Sequence, residues 1–155
     1  MSDIEPVEPQ VPAAWRSRTP DLGGQFARIR RGFRHEGEYQ QAMRKVRPDW
    51  MTPICQAIGL WEATAEPATP IGPEWCPFPA LVALFAENGV TDGDAIGFTI
   101  LRMQEQGLVQ ERGFAGVMAV RLLGPGRSRA KGGTLERITQ ALAPSERRPE
   151  LEGPR

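Results

Sequence analysis

The side chains in this 155-residue chain that could act on a partner are its arginines. Of 19 basic residues, all but Lys45 and Lys131 are arginine. A GC-rich genome gives the same bias, so the count alone does not show that the guanidinium's paired donors are in use. Other chemistry lacks its parts. His35 is the sole histidine and has no cysteine beside it, whereas a metal centre needs several ligands. Cys55 and Cys76 form no Cys-x-x-Cys pair and read as half-buried thiols, not a disulfide. No Gly-x-Ser-x-Gly elbow and no Gly-x-x-x-x-Gly-Lys phosphate loop occurs. Asp92 and Asp94 fall in a helix's first turn, where the helix dipole favours acids without any catalytic role. The sequence reads as a non-enzyme with no cofactor and no metal.

The formal net charge of zero conceals blocks of opposite sign. Met1 to Ala13 carries three acids and no base. Ala14 to Arg47 carries nine bases against three acids. From Pro48 to Gln110, Arg102 stands alone against eight acids. Glu111 to Arg155 carries nine bases against five acids. The first basic block holds Arg28, Arg30, Arg31 and Arg34, then Arg44, Lys45 and Arg47. Phe26, Ile29 and Phe33 recur there at helical spacing, and Tyr39, Met43 and Val46 continue the pattern. Gly32 and Gly37 interrupt it, so one broken helix or two short ones are expected. Their arginine-rich face is either a patch that meets phosphate or a solvated helix surface.

The elements that would position these groups are clearest from Phe78 to Leu123. Pro79 suits the first turn of a helix, and Leu81, Leu84 and Phe85 follow at helical spacing. Gly89 ends it. Thr91, three residues before Asp94, reads as the cap of a second helix. Ile96, Ile100 and Met103 give that helix one apolar stripe. Gly107 stops it, and Leu108-Val109 begin a strand. A loose hairpin tip is expected at Arg112 to Gly116, with a return strand to Leu123.

This order, with the phrase Gly107-Leu108-Val109 at the helix–strand junction, resembles the second half of a winged helix-turn-helix domain. Many bacterial transcription regulators use that unit, and the resemblance covers about a third of the chain, residues 78–123. It implies a mainly α fold with a small β-hairpin wing, extra N-terminal helices and flexible tails. Trp50 to Thr64 supplies a further helix, with Thr52 as cap, Pro53 at the first position, and Ile54, Ile58 and Trp61 as its stripe. Residues 65–77 carry four prolines and read as a stiff extended connection, a departure from the superfamily pattern. Residues 1–20 read as a disordered tail, in which Trp15 either marks a docking point or folds back on the domain. The domain then spans 21–123. Residues 124–155 read as a flexible basic tail, with a short helix at 134–143 capped by Thr134 and carrying Leu135, Ile138 and Leu142. No apolar run spans a membrane and no signal peptide opens the chain, so the expected compartment is the cytoplasm.

Two functions compete. A recognition helix reads DNA with its outward N-terminal residues. Here the outward set is Asp94, Gly97, Phe98, Leu101 and Arg102, which is poor for DNA. Affinity for double-stranded DNA would rest on the flanks and the wing: Arg28, Arg30, Arg31, Arg34, Arg44, Lys45, Arg47, Arg102, Arg112, Arg127 and Arg129. The alternative is a protein interaction module or adaptor with Phe98 and Leu101 as its contact, an apolar spot to be covered by the Phe26-Ile29-Phe33 face, the Leu135 helix, a second copy or another protein. The DNA-associated regulator stands ahead because the fold and the two basic flanks agree.

Overall fold

The computed structural model describes residues 11–16, 36–64, 71–114 and 116–143. It is mainly helical with a small three-stranded antiparallel sheet. A 3-10 turn, Ala13–Arg16, precedes α1, Glu36–Met43. A second 3-10 turn, Pro48–Trp50, runs directly into α2, Met51–Thr64. Strand β1, Cys76–Pro77, leads into α3, Phe78–Glu87, and then α4, Gly93–Glu105. Strands β2, Val109–Phe114, and β3, Val117–Leu122, form a hairpin. Helices α5, Gly124–Ala130, and α6, Leu135–Leu142, follow.

Helix α2 is the centre of the packing. Ile54, Ile58 and Trp61 share one face, and Met51, Cys55, Gly59 and Glu62 share another, by the 3.6-residue period. The first face is buried with Leu81, Leu84 and Phe85 of α3 and with Ile96, Ile100 and Met103 of α4. Each fully buried side chain of this size contributes roughly 2 kcal/mol by leaving water. Trp50 closes one end of the core edge-on against Phe85, with ring centroids 5.3 Å apart. The second face receives α5 and α6. Gly59 lies against Ala130, and Gly133 against Gln56.

Helix ends differ from the sequence reading by a residue or two. Asp92, not Thr91, caps α4: its Oδ1 accepts from the Ala95 N–H at 3.0 Å. Asp92 reaches the third amide of the helix, which fills the capping geometry without help from Asp94. Thr52 lies inside α2, because the turn at Pro48 starts the helical path earlier. Gly89 and Gly107 hold left-handed backbones at φ of 83° and 77°, as helix-ending glycines do. Thr134 caps α6 as expected, accepting from the Arg137 N–H at 3.1 Å.

Strand β1 was not expected. It lies in the proline-rich connection and pairs with β3, Cys76 opposite Val120 and Pro77 opposite Ala119. Proline is tolerated because β1 is an edge strand. The sheet order is therefore β1-β3-β2. The hairpin tip is tighter than read. Phe114 pairs with Val117, so only two residues turn the chain, and Gly116 takes φ of 85°. Arg112 and Gly113 are thus strand residues.

Trp15 folds back on the domain. It is 3% exposed, its indole N–H donates to the Ala80 carbonyl at 2.7 Å, and its ring meets Trp61 edge-on at 5.1 Å. The glycine-rich start of residues 124–155 also differs from a flexible tail. Pro125 opens α5, and Gly126 lets the helix press on the base of the hairpin, where a Cβ would overlap the Leu108 carbonyl oxygen. Residues 144–155 lie outside the described residues, as do 1–10 and 17–35. No helix among the described residues is long and apolar enough to cross a membrane.

The glycine at 126 is open to a direct test. Gly126→Ala should cost about 2 kcal/mol, in the range typical of an overpacked core, read as a lowered urea midpoint. A midpoint equal to the parent's would show that α5 does not sit against Leu108.

Candidate nucleic-acid interface

Thr99 sets the position of the basic stretch that follows α1. It is fully buried on α4, where its hydroxyl donates to the Ala95 carbonyl at 2.7 Å. The same oxygen accepts from the Arg47 N–H at 2.9 Å. A buried hydroxyl satisfied in both roles is worth keeping, since either lost bond would leave a desolvated polar group. The chain between α1 and α2 is thereby fastened to α4. Arg44 and Lys45 stand exposed just before that fastening. Arg47 itself is half-buried, with its guanidinium 4.9 Å from the Trp50 ring and 3.5 Å from Asp49.

Helix α1 meets α4 through a small charged cluster. The Tyr39 hydroxyl bonds both carboxylate oxygens of Glu105, at 3.0 and 3.1 Å. Arg102 bonds the same carboxylate at 3.0 Å, one helical turn away. Donation to Glu105 raises the Tyr39 pKa above its ordinary 10.0, because ionisation would break the bond and set two negative charges together. Glu105 also raises the Arg102 pKa, so that guanidinium stays charged and stays paired.

The other arginines fall in two further places. Arg127 on α5 bonds Glu62 on α2 at 3.1 Å. Arg129 is exposed, with one amino group 3.9 Å from the Met51 sulfur. An exposed ion pair contributes under about 1 kcal/mol, so the glycine contacts position α5 more firmly than the charges do. Arg112 lies on β2, exposed, with its guanidinium 5.2 Å from the Phe114 ring. The hairpin is tied to α4, since the Glu111 N–H donates to Gln104 Oε1 at 2.7 Å. That bond also occupies an amide of an edge strand, which limits pairing with other chains.

Arg28, Arg30, Arg31 and Arg34 lie outside the described residues, as does His35. The structure pairs Arg102 with Glu105 of its own helix, ties Arg127 to α2, and holds Arg47 on Trp50. Phe98 and Leu101 are half-buried on α4, and Gly97, read as outward, is buried. Residues the sequence reading did not single out are Arg121, Trp75 and Phe114. The Arg121 guanidinium lies 5.0 Å from the Trp75 ring, whose other neighbour is Phe114. The signal was present in the period of two shared by Gln110, Arg112 and Phe114. Trp75 could not be added without knowing that β1 pairs with β3.

Both cysteines are buried and free. Burial pushes the Cys55 thiol from 9.0 up to about 11, against a smaller opposing pull from Arg129. Burial alone holds the Cys76 thiol well above its ordinary value. Such thiols are poor nucleophiles and metal ligands. Among the described residues no three of His, Cys, Asp and Glu cluster closely enough to hold a metal ion. No protein-family model, curated protein or solved structure matches the chain.

The α1–α4 cluster predicts a pH dependence. Tyr39 is the chain's one tyrosine, so tyrosinate absorbance reports it alone. Its folded pKa is raised, so the Glu105 bond is intact below pH 10.0 and lost as pH rises through the folded value. The absorbance midpoint should lie above 10.0 in the folded protein and fall back in Glu105→Gln. An unchanged midpoint in that variant would show that α1 does not dock this way.

Proposed function

We propose that this chain is a winged-helix protein that associates with double-stranded DNA in transcription regulation. The contacts are to phosphate, through the basic end of α1 and through the hairpin. One observation carries the reading most. A turn-linked helix pair, α3 and α4, leads directly into the β2–β3 hairpin, and Gln104 binds that hairpin back to the second helix. This is the order on which the winged-helix resemblance rests, and β1 adds a strand that closes the hairpin onto the helices. Exposed Arg44 and Lys45 stand at the end of the helix that packs on α4.

Charge decides how α4 takes part. Asp92 and Asp94 sit at its N-terminus, and its one arginine is paired with Glu105. Bringing that end to a phosphate backbone sets like charges together, whereas Arg44, Lys45 and Arg112 have no carboxylate partner among the described residues. The duplex is thus met by flanks, with α4 as a strut. A protein-interaction module built on the same fold would use Phe98 and Leu101. Their half-buried state leaves less apolar surface for such a contact.

The test is a titration of labelled duplex at several salt concentrations. Binding by phosphate contact weakens steeply with salt, and the log–log slope should shrink by roughly 0.9 for each contact removed in Arg44→Ala and Lys45→Ala. Asp94→Asn should bind more tightly. Parent binding that is absent, or that ignores salt, would turn the reading toward the interaction module.

A further inference from the structure

The outward face of the sheet carries a second, smaller packed cluster with guanidiniums at its edge. Residues of alternate parity in the hairpin face away from the helices: Gln110, Arg112 and Phe114 from β2, with Val117, Ala119 and Arg121 from β3. That set holds two guanidiniums and no carboxylate. Trp75, just before β1, lies against it and is buried to 5% exposure. Its ring meets Phe114 edge-on at 5.2 Å, with planes 67° apart. Arg121 stacks on Trp75 at 5.0 Å, and Arg112 on Phe114 at 5.2 Å. Arg121 is held a second time, since its Nε donates to Gln110 Oε1 at 2.7 Å. Its two terminal amino groups have no hydrogen-bond partner among the described residues.

We propose that Arg112 and Arg121 form a paired clamp for the phosphate backbone of duplex DNA, with Trp75 and Phe114 as the residues that position them. Three physical points carry it. Arg112 stands opposite Ala119, so Arg121 is its diagonal cross-strand neighbour, with backbones about 7–8 Å apart, and two guanidiniums on one face with no carboxylate among them favour an anion. Stacking fixes each flexible side chain before binding, which lowers the ordering cost on contact. The planar fork of a guanidinium matches two phosphate oxygens at once. The inference rests on the DNA reading above, and it adds Arg121 and the two aromatic supports to the contact.

The experiment uses the full chain and a labelled duplex over a range of salt. Arg112→Gln with Arg121→Gln should reduce the log–log slope by roughly 1.8, at 0.9 per contact. Phe114→Leu keeps both charges, so the slope should hold while affinity falls roughly twofold to fivefold, the worth of one exposed cation–π contact. Phe114→Tyr keeps the ring and should restore the parent's affinity, which a purely structural role for a shape at 114 would not separate from leucine. Circular dichroism confirms that each variant is folded. If the parent binds with a salt slope that Arg44→Ala reduces and the double variant does not, the clamp is wrong and the DNA reading stands. If the parent binds no duplex, both fall. If polyglutamate binds in place of duplex and the double variant loses it, the pair serves an acidic peptide and the proposal is overturned.

Discussion

The structure depends on burying α2 on two faces at once. Helices with one apolar stripe need one partner surface, but α2 offers Ile54, Ile58 and Trp61 on one side and Cys55 and Gly59 on another. The first side is satisfied by α3, α4 and the inward residues of the sheet. The second is met by Leu122 at the end of the hairpin and by the chain after it, where Ala130 lies against Gly59. That requirement explains why a seven-residue helix forms from a sequence starting Gly-Pro-Gly. It also fixes the base of the hairpin, where the Leu123 N–H donates to the Leu108 carbonyl at 3.0 Å immediately before α5. Trp15 completes the enclosure from the other end of the sequence, covering Trp61 and Ala80.

The polar contacts near α4 distribute its neighbours instead of stabilising a core. Thr99 holds the stretch around Arg47, Glu105 holds Tyr39, and Gln104 holds Glu111. Three side chains on one helix thus place α1, the entry to α2, and the hairpin. The acids of the middle of the chain are partly consumed in this work, since Glu105, Asp49 and Glu62 pair with Arg102, Arg47 and Arg127. The arginines left on the hairpin are paired with aromatic rings, which orient a charge without neutralising it. This difference separates the arginines that build the fold from those with charge to offer a partner.

The stripes of α2, α3 and α4 were legible in the sequence because each repeats at helical spacing over three or more residues. Ile96, Ile100 and Met103 all reach zero exposure. The hairpin was legible from Gly107 and from alternation, although its tip was drawn too wide. Strand β1 was not legible: two residues, one of them proline, carry no period, and only the partner strand makes them a strand. Helix α5 was hidden for a related reason. Gly126 is there for the close approach to Leu108, and glycine read locally means a break. The candidate interface suffered most, because charge counts ignore pairing. Arg102 and Arg127 looked equivalent to Arg112 until Glu105 and Glu62 were placed beside them. Arg121 carries no local signal, because its face depends on β3 register and its support, Trp75, precedes a strand without a period of its own.

The proposed contact sets duplex phosphate against the α1 end and the outward sheet face, and not against the N-terminus of α4. The most direct measurement is nuclear magnetic resonance mapping of backbone amides as duplex DNA is added. Shifts should concentrate at Arg44, Lys45, Arg112 and Arg121 and should revert when salt is raised. Shifts centred on Asp94, Phe98 and Leu101, or a spectrum that duplex leaves unchanged, would contradict it.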